Sequence, residues 1–194
     1  MLDVAAEVFG EQGYAGANMD EIATRCGVTK PMLYNYFGSK KGLFLAVNDD
    51  IAKEIVDRAQ AVVGIKDPDE LIEKGGALLV EIMSERYKLW MQARVSALSD
   101  TDLADHMRQF RQLLIDVLCV AFSGFKPDTL TDAEAHEIIL PYAHAGLGAI
   151  EAGVELWTEQ PNLADRLDQE IVPSMTKAVV GAVKTALMNA AAAK

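Results

Sequence analysis

The sequence predicts an all-α protein: an N-terminal three-helix helix-turn-helix domain joined to a larger helical domain. Three observations predict it. Apolar residues recur at three- and four-residue spacing along most of the 194 positions. Alternating apolar and polar runs closed by Asn-Gly or Gly-Gly turns, the mark of hairpins, are missing. Between Asn18 and Lys41, two short helical patterns flank a glycine-containing turn, the layout of a DNA-reading helix-turn-helix.

A first helix is expected from the start to about Phe9 or Gln12, with Val4, Val8 and Phe9 facing inward. Asn18 and Glu21 have the spacing of a capping box, and Met19, Ile22 and Ala23 supply the apolar face that follows. Gly27 suits a left-handed stop. Thr29 can cap the next helix, Pro31 is tolerated in its first turn, and Leu33, Tyr34 and Phe37 return it to the core. Ser39 then caps a long helix whose stripe is Leu43, Phe44, Val47, Ile51, Ile55 and Val62.

Further along, Asp67-Pro68 is a favoured helix start, and the helix it opens should break between Ser84 and Lys88. Ser99 to Asp102 is a turn with cap candidates, followed by Leu103, Met107, Phe110, Leu114 and Leu118 on one face. Gly124 to Asp128 reads as a loop, and Thr131 with Glu134 makes a second capping box. Pro141 should kink or split the helix after it, Gln160-Pro161 should end it, and Asn162 should cap the last helix. Pro173 should bend that last helix, and the tail from Ala190 should fray. The domains expected are residues 1–45 and 46–194, joined by the fourth helix, which would carry shifts between them.

Composition narrows the class. Hydrophobic residues make up 51% of the chain, ample for a core, and no apolar run reaches membrane-span length. The opening residues lack a secretory layout. Cys26 and Cys119 lie far apart in helical patterns, which speaks against a disulfide framework and for a reduced, cytoplasmic setting. Net charge is −11, but Thr24 to Lys41 holds Arg25, Lys30, Lys40 and Lys41 with no acid, a local +4 that leaves −15 for the remainder. A basic stretch on an acidic chain permits phosphate contact while discouraging indiscriminate binding.

The run Phe9, Gly13-Tyr14, Met19, Ile22-Ala23, Gly27-Val28-Thr29, Leu33-Tyr34, Tyr36-Phe37, Ser39-Lys40 and Leu43 resembles the N-terminal domain of the TetR family of bacterial one-component regulators. The usual hydroxyl pair before the second helix is replaced by Ala17-Asn18, and no basic residues precede the first helix. In a helix-turn-helix the N-terminal residues of the second helix lie at base edges. Thr29, Lys30, Pro31 and Met32 therefore fall nearest the bases, with Asn35 one turn on. Lys30 is the candidate guanine contact; Met32 or the Thr29 methyl could meet a thymine methyl. Tyr34, Tyr36 and Lys40 match family positions that touch phosphate. Cys26 reads as a small buried hydrophobe.

The resemblance implies a homodimer on a palindromic double-stranded DNA operator and a C-terminal cavity for a small-molecule effector. Small residues Ala145, Gly146, Gly148, Ala149, Ala152 and Gly153 thin one helix, and Met175, Val179, Ala182, Val183 and Ala186 stripe the last one. Together they form the expected four-helix dimer interface. Met83, Tyr87, Trp90, Met91, Met107, Phe110, Leu114, Tyr142 and Trp157 would wall a largely apolar pocket, with Arg94, His144 and Glu151 as polar contacts. His106, His136 and His144 lack the i, i+4 pairing of helical zinc sites, and Asp100, Asp102 and Asp105 read as a solvated face. No catalytic residue, metal or cofactor is expected. The expected function is a repressor released by its effector. The alternatives are an activator or architectural regulator that senses nothing, and an all-helical enzyme or metal-binding bundle.

Overall fold

The computed structural model describes residues 1–97, 100–160 and 170–194, without the side chains at 79–80, 83–88, 90–92, 94–95, 97, 154 and 157–159. Among the described residues every regular element is a helix: α1 (Leu2–Gly16), α2 (Met19–Cys26), α3 (Lys30–Phe37), α4 (Lys40–Ala59), α5 (Pro68–Ala97), α6 (Thr101–Ser123), α7 (Asp132–Glu159) and α8 (Val172–Ala192). A single 3₁₀ turn, Gln60–Val62, follows α4.

The chain divides into two compact units. The first comprises residues 1–55 and 86–112, the second 56–85 and 113–194, and the divisions fall within α4, α5 and α6. The first unit is packed around Phe9, Ile22, Leu33, Leu43, Phe44 and Val47, all buried, with Leu89, Ala93 and Leu103 also buried. Phe9 meets Phe44 edge-on at 4.9 Å, and Tyr14 lies 4.9 Å from the same ring. The second unit is built on Leu71, Ile115, Phe122, Leu130, Ile139, Ala143, Leu147, Val180, Val183 and Leu187. In it α7 packs along α8, where Gly146 leaves room for Val179, whose Cγ1 would sit 3.4 Å from an added Cβ.

Several expectations are corrected. Helix α1 continues past Gln12 to Gly16, and Gly13 makes a non-helical step inside it at φ 75°. Helix α5 runs unbroken through Ser84–Lys88, where no residue opposes helix, although the division between units falls between Glu85 and Arg86. Helix α7 passes Pro141 without splitting; the buried Ile139 and Ala143 hold it on either side of the missing N–H. Pro173 occupies the first turn of α8, where proline costs little, rather than bending its interior. The tail does not fray: Ala190 and Ala191 pack on the core, and Lys194 Nζ donates to Glu134 Oε2 at 2.6 Å and to the Thr129 carbonyl at 3.1 Å. Asn162 lies outside the described residues.

Candidate nucleic-acid interface

The site is built from the helix pair α2–α3. Asn18 Oδ1 accepts the Asp20 N–H at 2.8 Å and starts α2. The expected reciprocal bond from Glu21 is not made, because Gln12 Nε2 (2.7 Å) and Arg25 (2.6 Å) take its carboxylate instead. Gly27 ends α2 at φ 67°, a left-handed stop that lets the Val28 N–H reach back to the Ala23 carbonyl at 3.0 Å. Thr29 is extended, and its side chain makes no capping bond to α3, contrary to expectation; its backbone carbonyl receives the Met32 N–H instead.

Leu33, fully buried, fixes α3 to the core, with Phe37 half-buried behind it. The rest of the helix faces water. Thr29, Lys30, Pro31, Met32, Tyr34, Asn35 and Tyr36 are all exposed, Met32 at 42% and Tyr36 at 68%. Large apolar and aromatic side chains left uncovered in a row mark a surface that meets something. The close turn into α4 fixes the far end of α3. Ser39 Oγ accepts the Gly42 N–H at 2.9 Å, and a Cβ on Gly42 would lie 2.0 Å from the Phe37 carbonyl oxygen.

In space, the four basic residues read along 24–41 are not a free surplus. Arg25 bridges Glu11 and Glu21 at 3.1 and 2.6 Å, and these partners push its pKa up. Lys30 Nζ donates to Asp20 Oδ2 at 2.9 Å, a bond that raises the lysine's pKa. Lys41 gives all three donors away, to both oxygens of Asp100 (3.0 and 2.9 Å) and to Asp102 (2.6 Å). Lys41 is consequently pushed well up, and Asp100 is held low by Lys41 and by the Leu103 N–H. Lys40, half-buried, donates to the Ala15 carbonyl at 3.0 Å and lies over the Tyr14 ring at 5.3 Å; burial lowers its pKa. Its ammonium keeps donors for a further partner. Cys26 is half-buried rather than buried, its thiol 3.8 Å from the Met1 carbonyl.

The sequence model of bacterial regulatory proteins of the tetR family matches residues 1–47, the stretch that forms this surface and its support. The HTH-type transcriptional activator FasR of Mycolicibacterium smegmatis is 57% identical over 47 residues, 24% of this chain and 22% of that protein. Residues 1–47 form an N-terminal domain of the tetR family of bacterial regulatory proteins. The first curated relatives are matched over only 22% and 35% of their own length. Over the whole fold, a TetR-like transcriptional regulator from Rhodococcus sp. RHA1 is similar at a TM-score of 0.62 and 24% identity, covering 90% of both chains. The transcriptional regulator FadR from Bacillus subtilis, solved with stearoyl-CoA, is similar at 0.54 and 18% identity over 95% of this chain and 96% of that one.

The other residues expected to act are distributed as follows. Of the pocket set, Met107 is half-buried and Phe110 buried in the first unit, while Leu114 and Tyr142 pack against the core of the second. The side chains of Met83, Tyr87, Trp90, Met91 and Trp157, and of Arg94, lie outside the described residues. His144 is exposed and Glu151 half-buried. A groove of about 430 Å³ in the second unit is lined by Cys119, Val120, Ser123, Lys126, Asp132, Ala135, His136 and Ile139, and includes none of that set. Of the interface set, Ala145, Ala152 and Ala182 are exposed, Ala149, Gly153, Met175, Val179 and Ala186 half-buried, and Val183 fully buried within its own chain. On α8, Ala178 and Ala182 form an exposed row one turn apart, and Met188 is 53% exposed. Among the described residues no group of His, Cys, Asp and Glu is placed to hold a metal ion, and no helix is long and apolar enough to cross a membrane.

Proposed function

We propose that this chain is a cytoplasmic, ligand-responsive repressor that holds a palindromic operator as a homodimer and releases it when a small, largely apolar effector binds. The observation that carries the reading is the exposed row Thr29–Met32 and Tyr34–Tyr36, displayed on a helix whose Leu33 and Phe37 turn to the core. Laid in a major groove, the first turn of α3 meets base edges while α2 braces on the backbone. Lys30 donates to guanine O6 and N7, Met32 or the Thr29 methyl meets a thymine methyl, and Asn35 reads one turn on. Tyr34, Tyr36 and Lys40 donate to phosphate and set the register.

One such helix buries too little surface for tight, specific binding, so two heads act together. The exposed small residues of α7 and the row on α8 supply the contact between copies. The methionine and aromatic side chains of α5, α6 and α7 suit an apolar effector, and the complex of a fold neighbour with stearoyl-CoA supports that reading. The effector must bind the released form better than the operator-bound form, since equal affinity shifts nothing. A reading of the chain as an activator is favoured by one observation, the 57% identity of its head to FasR.

The test is selection of bound duplexes from a random pool, with and without a metabolite extract. A palindrome with half-sites about one helical turn apart, or a multiple of it, is expected, and the extract should release it. A monomeric protein indifferent to every duplex at low ionic strength would overturn the reading.

A further inference from the structure

From the pairing of Asp20 with Lys30, we propose that Asp20 is a specificity-determining residue, an internal stand-in for phosphate that occupies Lys30 until a cognate base edge displaces it. The proposal rests on the DNA-reading role given above to α3.

Three features place Asp20 for this task. Its backbone is pinned in the first turn of α2, the N–H to Asn18 Oδ1 at 2.8 Å and the carbonyl to Thr24 Oγ1 at 2.8 Å. A carboxylate there is favoured by the positive end of the helix, whereas the Lys30 ammonium, in the first turn of α3, faces the same kind of end unfavourably. The two side chains correct each other at 2.9 Å. Both are open to water, 44% exposed for Lys30 and 64% for Asp20. An ion pair that exposed is weak enough to be exchanged.

The exchange discriminates between duplexes. A phosphate offers Lys30 one charged acceptor in place of another, so any sequence gains little. The O6 and N7 of guanine offer two acceptors at a fixed spacing, and only the correct base does so. The same logic reduces the salt dependence. The cation that Lys30 displaces from the duplex is offset by one that gathers on the vacated Asp20 carboxylate, so the net release of ions falls.

The experiment compares the full-length wild type with Asp20→Asn, Asp20→Glu, Lys30→Met and the Asp20→Asn/Lys30→Met double variant. Each is titrated with the selected operator and with a scrambled duplex over a range of salt, its helical content checked by circular dichroism. For Asp20→Asn the proposal expects scrambled-duplex affinity to rise roughly two- to fivefold and the salt slope to steepen by about one. Asp20→Glu should restore wild-type behaviour, and the double variant should show no gain over Lys30→Met. An unchanged scrambled-duplex affinity and slope in Asp20→Asn would overturn the proposal. So would an equal gain in the Lys30→Met background, which would make Asp20 a mere repeller of phosphate. In both cases operator binding survives. Loss of all duplex binding in the wild type as well would instead defeat the DNA-reading role itself.

Discussion

At the start of α7, Thr131 Oγ1 accepts the Glu134 N–H at 3.3 Å while Glu134 Oε2 accepts the Thr131 N–H at 2.9 Å. At the start of α2, Asn18 accepts from Asp20, and Glu21 turns away to Gln12 and Arg25. The two starts carry the same four-residue signal. They differ in what surrounds the acid. Glu21 has a cation one turn along its own helix and an amide from α1 within reach. Glu134 has its own cap and Lys194, whose ammonium adds to the box without breaking it. A local capping signal therefore holds where no stronger partner competes, and the head is the region where polar groups are tied between elements.

That contrast predicts where single substitutions do most damage. The largest effect is expected at Gly42, where an added Cβ would lie 2.0 Å from a backbone oxygen that no side-chain rotation can move. Gly42→Ala should cost about 3 kcal/mol in urea unfolding. Gly75→Ala on α5, where the nearest atom to the new Cβ is a Leu71 methyl at an ordinary 3.7 Å, should be neutral or stabilise by up to about 1 kcal/mol. Equal effects at the two sites would show that the α3–α4 turn is not what fixes the head. Next comes Lys30→Met, which should remove about 1–3 kcal/mol of discrimination at one operator position. An unaltered preference in a repeat of the duplex selection would remove Lys30 from the base-reading set.

The helices, the second capping box and the buried stripe of α4 were legible because each rests on residues close in sequence. Leu43, Phe44, Val47, Ile51 and Ile55 are all buried at the spacing expected of them. The row Thr29–Tyr36 was legible in part: helical geometry sorts Leu33 inward, but Tyr34, also expected to return to the core, is exposed. The charge of the head was not. Arg25 has one partner a turn away, Glu21, but Glu11, Asp20, Asp100 and Asp102, which also oppose Arg25, Lys30 and Lys41, come from 10 to 61 positions away. The pinned tail was missed for the same reason: Lys194 reaches Glu134 across 60 positions. Val183 was read as part of a surface stripe, and the packing of α7 along α8 buries it inside its own chain.

A smaller effect separates the two helix starts. Thr131→Ala removes the side chain that closes the α7 box and should cost about 1 kcal/mol in thermal or urea unfolding. Glu21→Gln keeps its bond to Gln12 in an exposed setting and should change stability by no more than about 0.5 kcal/mol. Comparable losses would mean that the open start of α2 is as dependent on its glutamate as the closed start of α7.

The finest distinction is in acid. The Lys194 ammonium, then the Thr131 N–H and hydroxyl, hold the Glu134 carboxyl down at about 2, below its ordinary 4.5. A carboxyl whose pKa falls on folding stabilises the native state fully above its unfolded value, and the contribution is lost as pH drops from there through the folded value. Stability should accordingly decline between about pH 4.5 and 2, and Glu134→Gln or Lys194→Met should make that decline shallower. Asp100 and Asp132 are also held low, by Lys41 and Lys126, so the diagnostic quantity is the difference between variant and wild type. Because Glu134 and Lys194 are open to solvent, about 1 M salt should shrink the difference, whereas the cost of Thr131→Ala, a hydrogen bond to backbone, should survive the same salt. A Glu134 difference indifferent to salt would place its role in the capping bonds alone and leave Lys194 without a part in it.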